Sequence, residues 1–411
     1  MSTMMQTTDF LTTARQAAVW DEARFAEAVP DEARLPVEPT VCAEVLVKKG
    51  LLTKFQAKLL LAGKAKQLLL GAYRILEPLG TQGGNTLFLG EHTGLKRRVV
   101  LKILDDKAED RTVRERFFRE ARSAAALDHP NIARLFDICR HNGTPFLVLE
   151  HLDGYDLQAL LTKAKKLSID DALSAVLQAA RGLAHAHERG IVHRDIRPAN
   201  LFLTRNGVVK IKNLGLARSL TSESDNVTSV MGGGVVVEAA EYQSLEQILN
   251  EPLDQRSDVY SLGATLFALI AGRPPFSGSL MEVMVAHQSG TMPRLSDFAT
   301  DVPKELEEVV SVMMARKRSE RYENAAEAMK ALGERNAGAP KSVGRSLAAL
   351  AARTPGKISA ASRIKVVKRL AAVQLPAPRL RRSLGIVLGA LCGAMLVAAS
   401  AFMLVKMVMG K

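Results

Sequence analysis

The feature that most restricts the fold of this chain is a change of hydrophobic periodicity within its first half. From Tyr73 onward, glycines and turn residues separate three short β-like runs: Tyr73–Leu79, Asn85–Glu91 and Arg98–Leu104. After Leu157 the apolar residues recur at the spacing of long helices. A strand-rich segment followed by a helix-rich one predicts an α+β fold, in which a cleft separates a small β lobe from a larger helical lobe.

Short polar motifs in a fixed order fall where this cleft would lie. They are Val99-Val100-Leu101-Lys102, Arg119-Glu120-Ala121, His193-Arg194-Asp195-Ile196-Arg197-Pro198-Ala199-Asn200 and Asn213-Leu214-Gly215. Further along come Asp258 in Arg-Ser-Asp-Val-Tyr-Ser-Leu-Gly, Gly-Arg-Pro-Pro-Phe ending at Phe276, and Arg321 in Ser-Glu-Arg-Tyr. Each string alone is a weak signal, but their order and spacing together exclude coincidence.

This order and spacing resemble the signature set of protein kinases over about 73–332. The phrase from Gly50 to Ala57, which leads into Tyr-Arg-Ile-Leu-Glu-Pro-Leu-Gly80, is also similar to planctomycete-type bacterial serine/threonine kinases. The resemblance implies a two-lobed kinase-like fold that uses ATP and Mg²⁺ and acts on protein substrates.

The same resemblance assigns the residues of phosphoryl transfer. Lys102 would hold the α- and β-phosphates, oriented by an ion pair with Glu120. Asp195 would accept the proton of a substrate hydroxyl, and Asn200 would ligate a metal ion. Arg197 replaces the usual lysine and keeps a positive charge near the γ-phosphate.

The nucleotide-binding residues follow in the same way. Glu150 and Leu152 would offer hinge backbone groups to adenine, Asp156 could bind the ribose, and Val100 replaces the usual alanine above the base. The expected set is Gly80, Gly83, Gly84, Val100, Lys102, Glu150, Leu152 and Asp156.

The departures from the family pattern cluster at the metal and phosphate positions. Asn213 stands where the family has a metal-binding aspartate, so the expected ligands Asn200 and Asn213 include no carboxylate, which Mg²⁺ favours. Losing that metal would slow transfer by on the order of a hundredfold or more. In the glycine-rich loop, Gln82 and Asn85 occupy positions where the family has glycine.

The activation segment also departs from the pattern. Ser244-Leu245 replaces Ala-Pro near its end, and Val235 to Ala240 lacks the Gly-Thr-Pro of active relatives. Glu246 is retained, and the resemblance pairs it with Arg321 in a structural contact.

Two classes of function remain open. The departures favour an impaired kinase or pseudokinase that acts as a signalling scaffold or regulator of a partner kinase. The alternative is an active ATP-dependent serine/threonine kinase that phosphorylates cytoplasmic proteins, because Lys102, Glu120, Asp195 and Asn200 all persist.

The basic charge is confined to the end of the chain. After Glu334 there are 14 Lys and Arg and no Asp or Glu, which leaves 42 basic and 43 acidic residues in 1–334. The folded part is therefore close to neutral, which argues against nucleic-acid binding. The cysteines Cys42, Cys139 and Cys392 show no CxxC spacing, so neither a disulfide framework nor a zinc site is expected.

Residues 384–405 predict a membrane-spanning helix. Leu384 to Val405 is 22 residues without a charge, about 33 Å long as a helix. More basic residues precede this run than follow it, which places the kinase-like domain in the cytoplasm as a C-terminally anchored protein. The basic residues concerned are Arg379, Arg381 and Arg382 before the run and Lys406 and Lys411 after it. The alternative is a buried core helix.

The remaining segments complete the predicted organisation. Residues 1–70 form a small helical region, 73–332 the kinase-like domain and 333–382 a basic linker containing alanine and proline. Part of the linker is either a helix on an anionic membrane surface or a disordered segment. Gly385, Gly389 and Gly393 recur at four-residue spacing, which is consistent with homodimerisation within the membrane or with ordinary membrane-helix composition.

Overall fold

The computed structural model describes residues 6–82, 85–104, 118, 121–122, 124–213, 235–334 and 349. In these residues a lobe built on a β-sheet precedes a larger helical lobe, which confirms the predicted α+β arrangement. Among the described residues, no helix combines the length and the apolar character that crossing a membrane requires. The predicted span at 384–405, its three glycines and most of the linker lie outside the described residues.

Four α-helices precede the first strand in the described part of the chain. They are α1 (Thr7–Gln16), α2 (Glu22–Ala28), α3 (Pro39–Lys48) and α4 (Lys54–Leu61). Their apolar faces enclose a separate core, in which Phe10, Phe25, Leu46 and Leu60 are buried. At the start of α4, Thr53 and Gln56 form a capping box, so the backbone N–H groups of both residues have side-chain partners. These residues therefore form a small helical unit with its own interior.

The small lobe is one antiparallel sheet. Its strands are β1 (Leu69–Leu70), β2 (Tyr73–Gln82), β3 (Asn85–His92), β4 (Arg98–Ile103), β5 (Leu135–His141) and β6 (Thr144–Glu150), in the order β1-β2-β3-β4-β6-β5. The three β-like runs predicted from the sequence coincide with β2, β3 and β4. Ala121 and Ala124, in a helical segment, pack with Leu135 and Leu147 of the sheet.

Helix α4 is attached to strand β2 at an irregularity in the sheet. The register between β2 and β3 shifts between Ile75 and Glu77, so Leu76 has no partner residue on β3. Gln56 Nε2 donates a hydrogen bond to the Ile75 carbonyl at 2.8 Å, and the Thr53 hydroxyl donates to the Leu76 carbonyl. The helix thus supplies side-chain donors at a point where the strand ladder is interrupted.

The large lobe surrounds one buried helix. The elements of this lobe are β7 (Gly154–Asp156), α5 (Leu157–Ala164), α6 (Ile169–His187), β8 (Leu201–Thr204), β9 (Val209–Ile211), α7 (Val235–Ala240), α8 (Leu245–Ile248), α9 (Gln255–Ala271), α10 (Leu280–Ser289), α11 (Lys304–Met313) and α12 (Ala325–Glu334). Every residue of α9 from Ser257 to Ile270 is buried. Strands β7, β8 and β9 form a second small sheet, and the loop from His187 to Leu201 crosses between α6 and β8.

Candidate active site

A buried carboxylate on α9 holds the loop that carries the central motif. Asp258 accepts hydrogen bonds from the backbone N–H groups of His193 and Arg194, each at 2.7 Å. His187 Nε2 lies 3.0 Å from the same carboxylate. Burial alone would raise the pKa of Asp258, but the contacts with His187 and His193 outweigh it and keep the pKa below its ordinary value. The loop is therefore fixed to the rigid centre of the lobe.

Asp195, the predicted catalytic base, lies on this loop with one side open. Its Oδ2 accepts a hydrogen bond from Asn200 Nδ2 at 2.6 Å, and Arg197 Nε lies 3.2 Å from its Oδ1. A quarter of the Asp195 side chain is exposed (25%). A carboxylate held by two neighbours yet open to solvent can accept the proton of an incoming hydroxyl.

The two predicted metal ligands are bonded to each other. Asn213 Nδ2 donates to Asn200 Oδ1 at 3.0 Å. The Nδ2 group of Asn200 donates in turn to the backbone carbonyl of Asp195 at 2.7 Å. Asn213 has a φ of 63°, a left-handed conformation that asparagine tolerates better than most residues. The amide oxygen of Asn200 therefore receives an N–H group.

This arrangement does not fit Mg²⁺. The ion prefers oxygen ligands with near-octahedral geometry and is usually held through at least one carboxylate. Here the nitrogen of Asn213 faces the oxygen of Asn200, and neither residue carries a charge. Within the described ranges, no group of three or more His, Cys, Asp or Glu is placed to bind a metal.

Lys102 lies on β4 in the small lobe and is almost completely buried. Its Cα is paired with that of Leu87 on β3 and that of Leu147 on β6, at the centre of the sheet. Burial lowers the pKa of its ammonium group to about 8. Glu120, its predicted partner, lies outside the described residues.

The predicted hinge follows β6. The backbone N–H of Glu150 donates to the Arg134 carbonyl at 2.9 Å, so this N–H is not available to a base. The Glu150 carboxylate accepts a hydrogen bond from Lys210 at 3.1 Å. Val100 pairs with Leu149 across β4 and β6. Glu150, predicted to contact adenine, is thus held by a backbone bond to Arg134 and a side-chain bond to Lys210.

The rest of the predicted nucleotide set is only partly described. Leu152 follows the last strand of the sheet and is half-buried. Gly80 lies in β2 with a φ of 145°, a backbone conformation that favours glycine. Gly83 and Gly84 lie outside the described residues.

A lysine that sequence reasoning missed faces the predicted ribose residue. Lys212 Nζ lies 4.0 Å from Asp156 Oδ2 and 5.2 Å from the centre of the Phe202 ring. Asp156 also begins α5, where its Oδ1 accepts a hydrogen bond from the Ala159 N–H at 2.8 Å. The Lys212 side chain is 28% exposed. Its only signal in the sequence was its position directly before Asn213.

The activation segment contacts the catalytic loop through α7. Glu238 Oε2 lies 3.8 Å from Arg197 Nη1. Burial, together with the neighbouring Glu238, raises the pKa of Glu241 to about 6. Gln247 on α8 donates to the Arg194 carbonyl at 2.8 Å. Arg197 is thereby placed between the carboxylates of Asp195 and Glu238.

The structural ion pair implied for the end of this segment is present. Arg321 Nη1 and Nη2 donate to the two oxygens of Glu246 at 2.6 and 3.0 Å. Ser257 Oγ donates to Glu246 Oε1 at 2.7 Å. Burial alone would raise the pKa of Glu246, but the bidentate bond to Arg321 outweighs it and lowers the pKa to about 2.

Comparison with known proteins gives consistent matches over the two lobes. A family model described as the protein kinase domain matches residues 73–332. The chain is 35% identical over 257 residues to the serine/threonine-protein kinase PrkC of Bacillus subtilis, an alignment that covers 62% of this chain and 39% of the relative. It is 36% identical over 263 residues to the serine/threonine-protein kinase PknB of Mycolicibacterium smegmatis, covering 62% of this chain and 41% of the relative. The chain thus spans about two fifths of the length of these relatives.

Proposed function

Because this chain belongs to the protein kinase family, we propose that it is a bacterial serine/threonine kinase-like protein that binds ATP but transfers phosphate weakly or not at all. Its function is then that of a scaffold or regulator, and its partner is a protein substrate or a related kinase. The resemblance of its N-terminal phrase to planctomycete-type kinases supports a bacterial signalling role.

The observation that carries this proposal is the amide pair of Asn200 and Asn213. In the family pattern this position combines an asparagine with an aspartate that binds a metal ion, and the ion neutralises charge during phosphoryl transfer. Here an uncharged amide donates a hydrogen bond to the oxygen that would hold the cation. The residues that position a substrate hydroxyl are retained, and so is the expected metal ligand Asn200, whereas the metal-binding aspartate of the family is replaced by Asn213.

The activation segment supports the same reading. The Glu238 carboxylate lies 3.8 Å from Arg197, the residue expected to attract the γ-phosphate. A nearby carboxylate opposes the approach of a phosphate and competes for the guanidinium group. Glu238 thus lowers the positive charge that Arg197 offers to the nucleotide.

The second candidate function is that of an active serine/threonine kinase. The geometry around Asp195 keeps it open. Asp195 is held by Asn200 and Arg197 with one side open, the geometry expected of the catalytic base. The loop that carries it is bound to Asp258. An enzyme that tolerates Asn213 would therefore need no rearrangement of this loop.

Phosphate transfer from labelled ATP by the full-length chain decides between the two. The assay uses Mg²⁺ or Mn²⁺ and tests transfer both to the chain itself and to a generic protein substrate. Asp195→Asn is the negative control, and Asn213→Asp restores the missing carboxylate. We expect wild type to be near background and Asn213→Asp to gain about a hundredfold. Wild-type transfer that is abolished by Asp195→Asn would instead establish the active kinase.

We propose that the chain is anchored in a membrane through residues 384–405. The uncharged run of 22 residues and the arginines before it support this proposal. After alkaline carbonate extraction, the full-length chain should stay with the membrane pellet, and a chain ending at 382 should be released. Release of both chains would exclude the anchor.

Homodimerisation through Gly385, Gly389 and Gly393 is a separate proposal. The small residues would let two helices approach closely. Gly389→Ile should reduce chemical crosslinking of the membrane-bound chain, and unchanged crosslinking would contradict it.

A further inference from the structure

The position of Lys212 places a cation beside the predicted ribose site. Its Nζ lies 4.0 Å from Asp156 Oδ2, beyond ordinary hydrogen-bond distance, and 5.2 Å from the Phe202 ring. Asp156 already has a second function, because it caps α5 through the Ala159 N–H. Lys212 is therefore held loosely, by an electrostatic contact and a cation–π contact rather than by a close bond.

Two neighbouring residues, Lys212 and Asn213, both make the charge of the cleft more positive than the family pattern would. Asn213 contributes no negative charge at the position where the family pattern has a carboxylate, and Lys212 contributes a positive charge directly before it. The amide pair of Asn213 and Asn200 does not fit a divalent cation. The positive charge in this part of the cleft thus comes from side chains.

We propose that Lys212 is a phosphate-binding residue for ATP and that, together with Lys102, it allows the nucleotide to bind without a divalent cation. The inference rests on the proposed function, since it requires an ATP site in this cleft. Lys212 exchanges its loose contact with Asp156 for a charge-assisted hydrogen bond to a phosphate oxygen. Asp156 keeps its bond to Ala159 and remains in place.

The geometry of the large lobe favours this exchange. A lysine side chain has four rotatable methylene groups and presents its ammonium as a mobile point charge. Lys212 is 28% exposed, so a ligand in the cleft can reach it. Its backbone N–H donates to the Asn200 carbonyl at 2.8 Å, which fixes the start of the side chain. Only the ammonium group needs to move when the nucleotide enters.

Equilibrium dialysis of labelled ATP against the full-length chain tests the inference, first with EDTA and then with Mg²⁺. Wild type should bind ATP in EDTA with an affinity within about threefold of that in Mg²⁺. Lys212→Met, which keeps the length but removes the charge, should weaken binding in EDTA by about tenfold or more. Lys212→Arg should bind within about threefold of wild type, because it keeps the charge.

The control variants separate charge loss from unfolding. Lys163→Met removes an exposed lysine on α5 and should leave binding unchanged. Thermal unfolding of each variant shows whether it is folded. Adenosine, which lacks phosphates, should bind equally to wild type and Lys212→Met. Equal losses for adenosine and ATP would show that Lys212 contacts the nucleoside, which would overturn the phosphate assignment.

The outcomes also separate the inference from the proposed function. If wild type binds ATP only with Mg²⁺, or if Lys212→Met binds as wild type does in EDTA, the inference fails while the ATP site stands. If the folded wild-type chain binds no ATP in either buffer, the ATP-binding part of the proposed function fails, and the inference fails with it.

Discussion

The protonation of Lys102 should control the affinity for ATP above neutral pH. The ordinary pKa of lysine is 10.5, and burial lowers it to about 8 here. Phosphates bind the ammonium form, which is half populated near pH 8, predominates about one unit below it and is lost as the pH rises above it. We expect affinity for ATP in EDTA to be constant near pH 7 and to fall by about tenfold per pH unit above pH 8.

Lys102→Arg is the matched control for this pH dependence, because a guanidinium stays charged throughout the range. The curve of that variant should be nearly flat, and any remaining slope would belong to Lys212. A wild-type curve that is flat from pH 7 to 9.5 would show that the Lys102 ammonium does not determine affinity.

A second prediction at the residue scale concerns the buried pair of Glu246 and Arg321. Arg321→Met would leave a buried carboxylate without its partner, so the free energy of unfolding should fall by about 3–5 kcal/mol. Lys317→Met, which removes an exposed lysine paired with Glu320, should cost less than about 1 kcal/mol. Chemical denaturation at pH 7 measures both values. Similar small losses for the two variants would contradict the prediction.

The pH dependence of this pair has a definite sign. The pKa of Glu246 is about 2 in the fold and 4.5 ordinarily. The stabilisation is therefore complete above pH 4.5 and is lost as the pH falls towards 2. In Arg321→Met this part of the acid sensitivity should largely disappear.

The individual residues of the site could be predicted from the sequence better than the contacts that they make in the fold. Asp195, Asn200 and Asn213 could be found because their order and spacing along the chain match the protein kinase pattern. The bond between the two asparagines could not be predicted, because it depends on which amide atom turns inward. Lys212 was missed for a related reason, since its contact with Asp156 joins two elements far apart in sequence.

Among the structural elements, α4 should contribute to the stability of β2 partly through the Gln56 side chain. Gln56→Ala would remove the donor to the Ile75 carbonyl in a buried position, and an unpaired buried acceptor costs about 1–3 kcal/mol. Lys58→Ala changes an exposed residue of the same helix and should be nearly neutral. Amide hydrogen exchange along β2 should rise only in Gln56→Ala. Unchanged exchange would show that the helix does not hold the strand.

The strands of the small lobe were predictable, whereas the short elements near the cleft were not. Glycines and turn residues flank β2, β3 and β4, so their boundaries and periodicity alone located these strands. Strands β7 and β9 have three residues each, too short for a pattern. Helix α7 lies in Val235–Ala240, where three consecutive valines favour a strand over a helix. The sequence pattern therefore does not locate this helix.

At the scale of the whole molecule, the N-terminal helices should stabilise the kinase-like lobes. Removing residues 1–62 would expose β2. It would also break the ion pair in which Lys96 Nζ lies 2.6 Å from Asp21 Oδ2. We expect the thermal midpoint of the remaining chain to fall by several degrees, at about 2–4 °C per kcal/mol. An unchanged midpoint would show that the helices are an independent unit.

If the proposed nucleotide site exists, the attachment of α4 to β2 also makes the helical region a place from which that site can be regulated. Strand β2 leads directly into the glycine-rich loop, so a protein that binds the helices and shifts α4 also shifts the strand that precedes the phosphates. If that protein changes the affinity of this chain for ATP by some factor, ATP must change the affinity of this chain for that protein by the same factor. A chain that transfers no phosphate would still report the presence of nucleotide to whatever its first seventy residues bind.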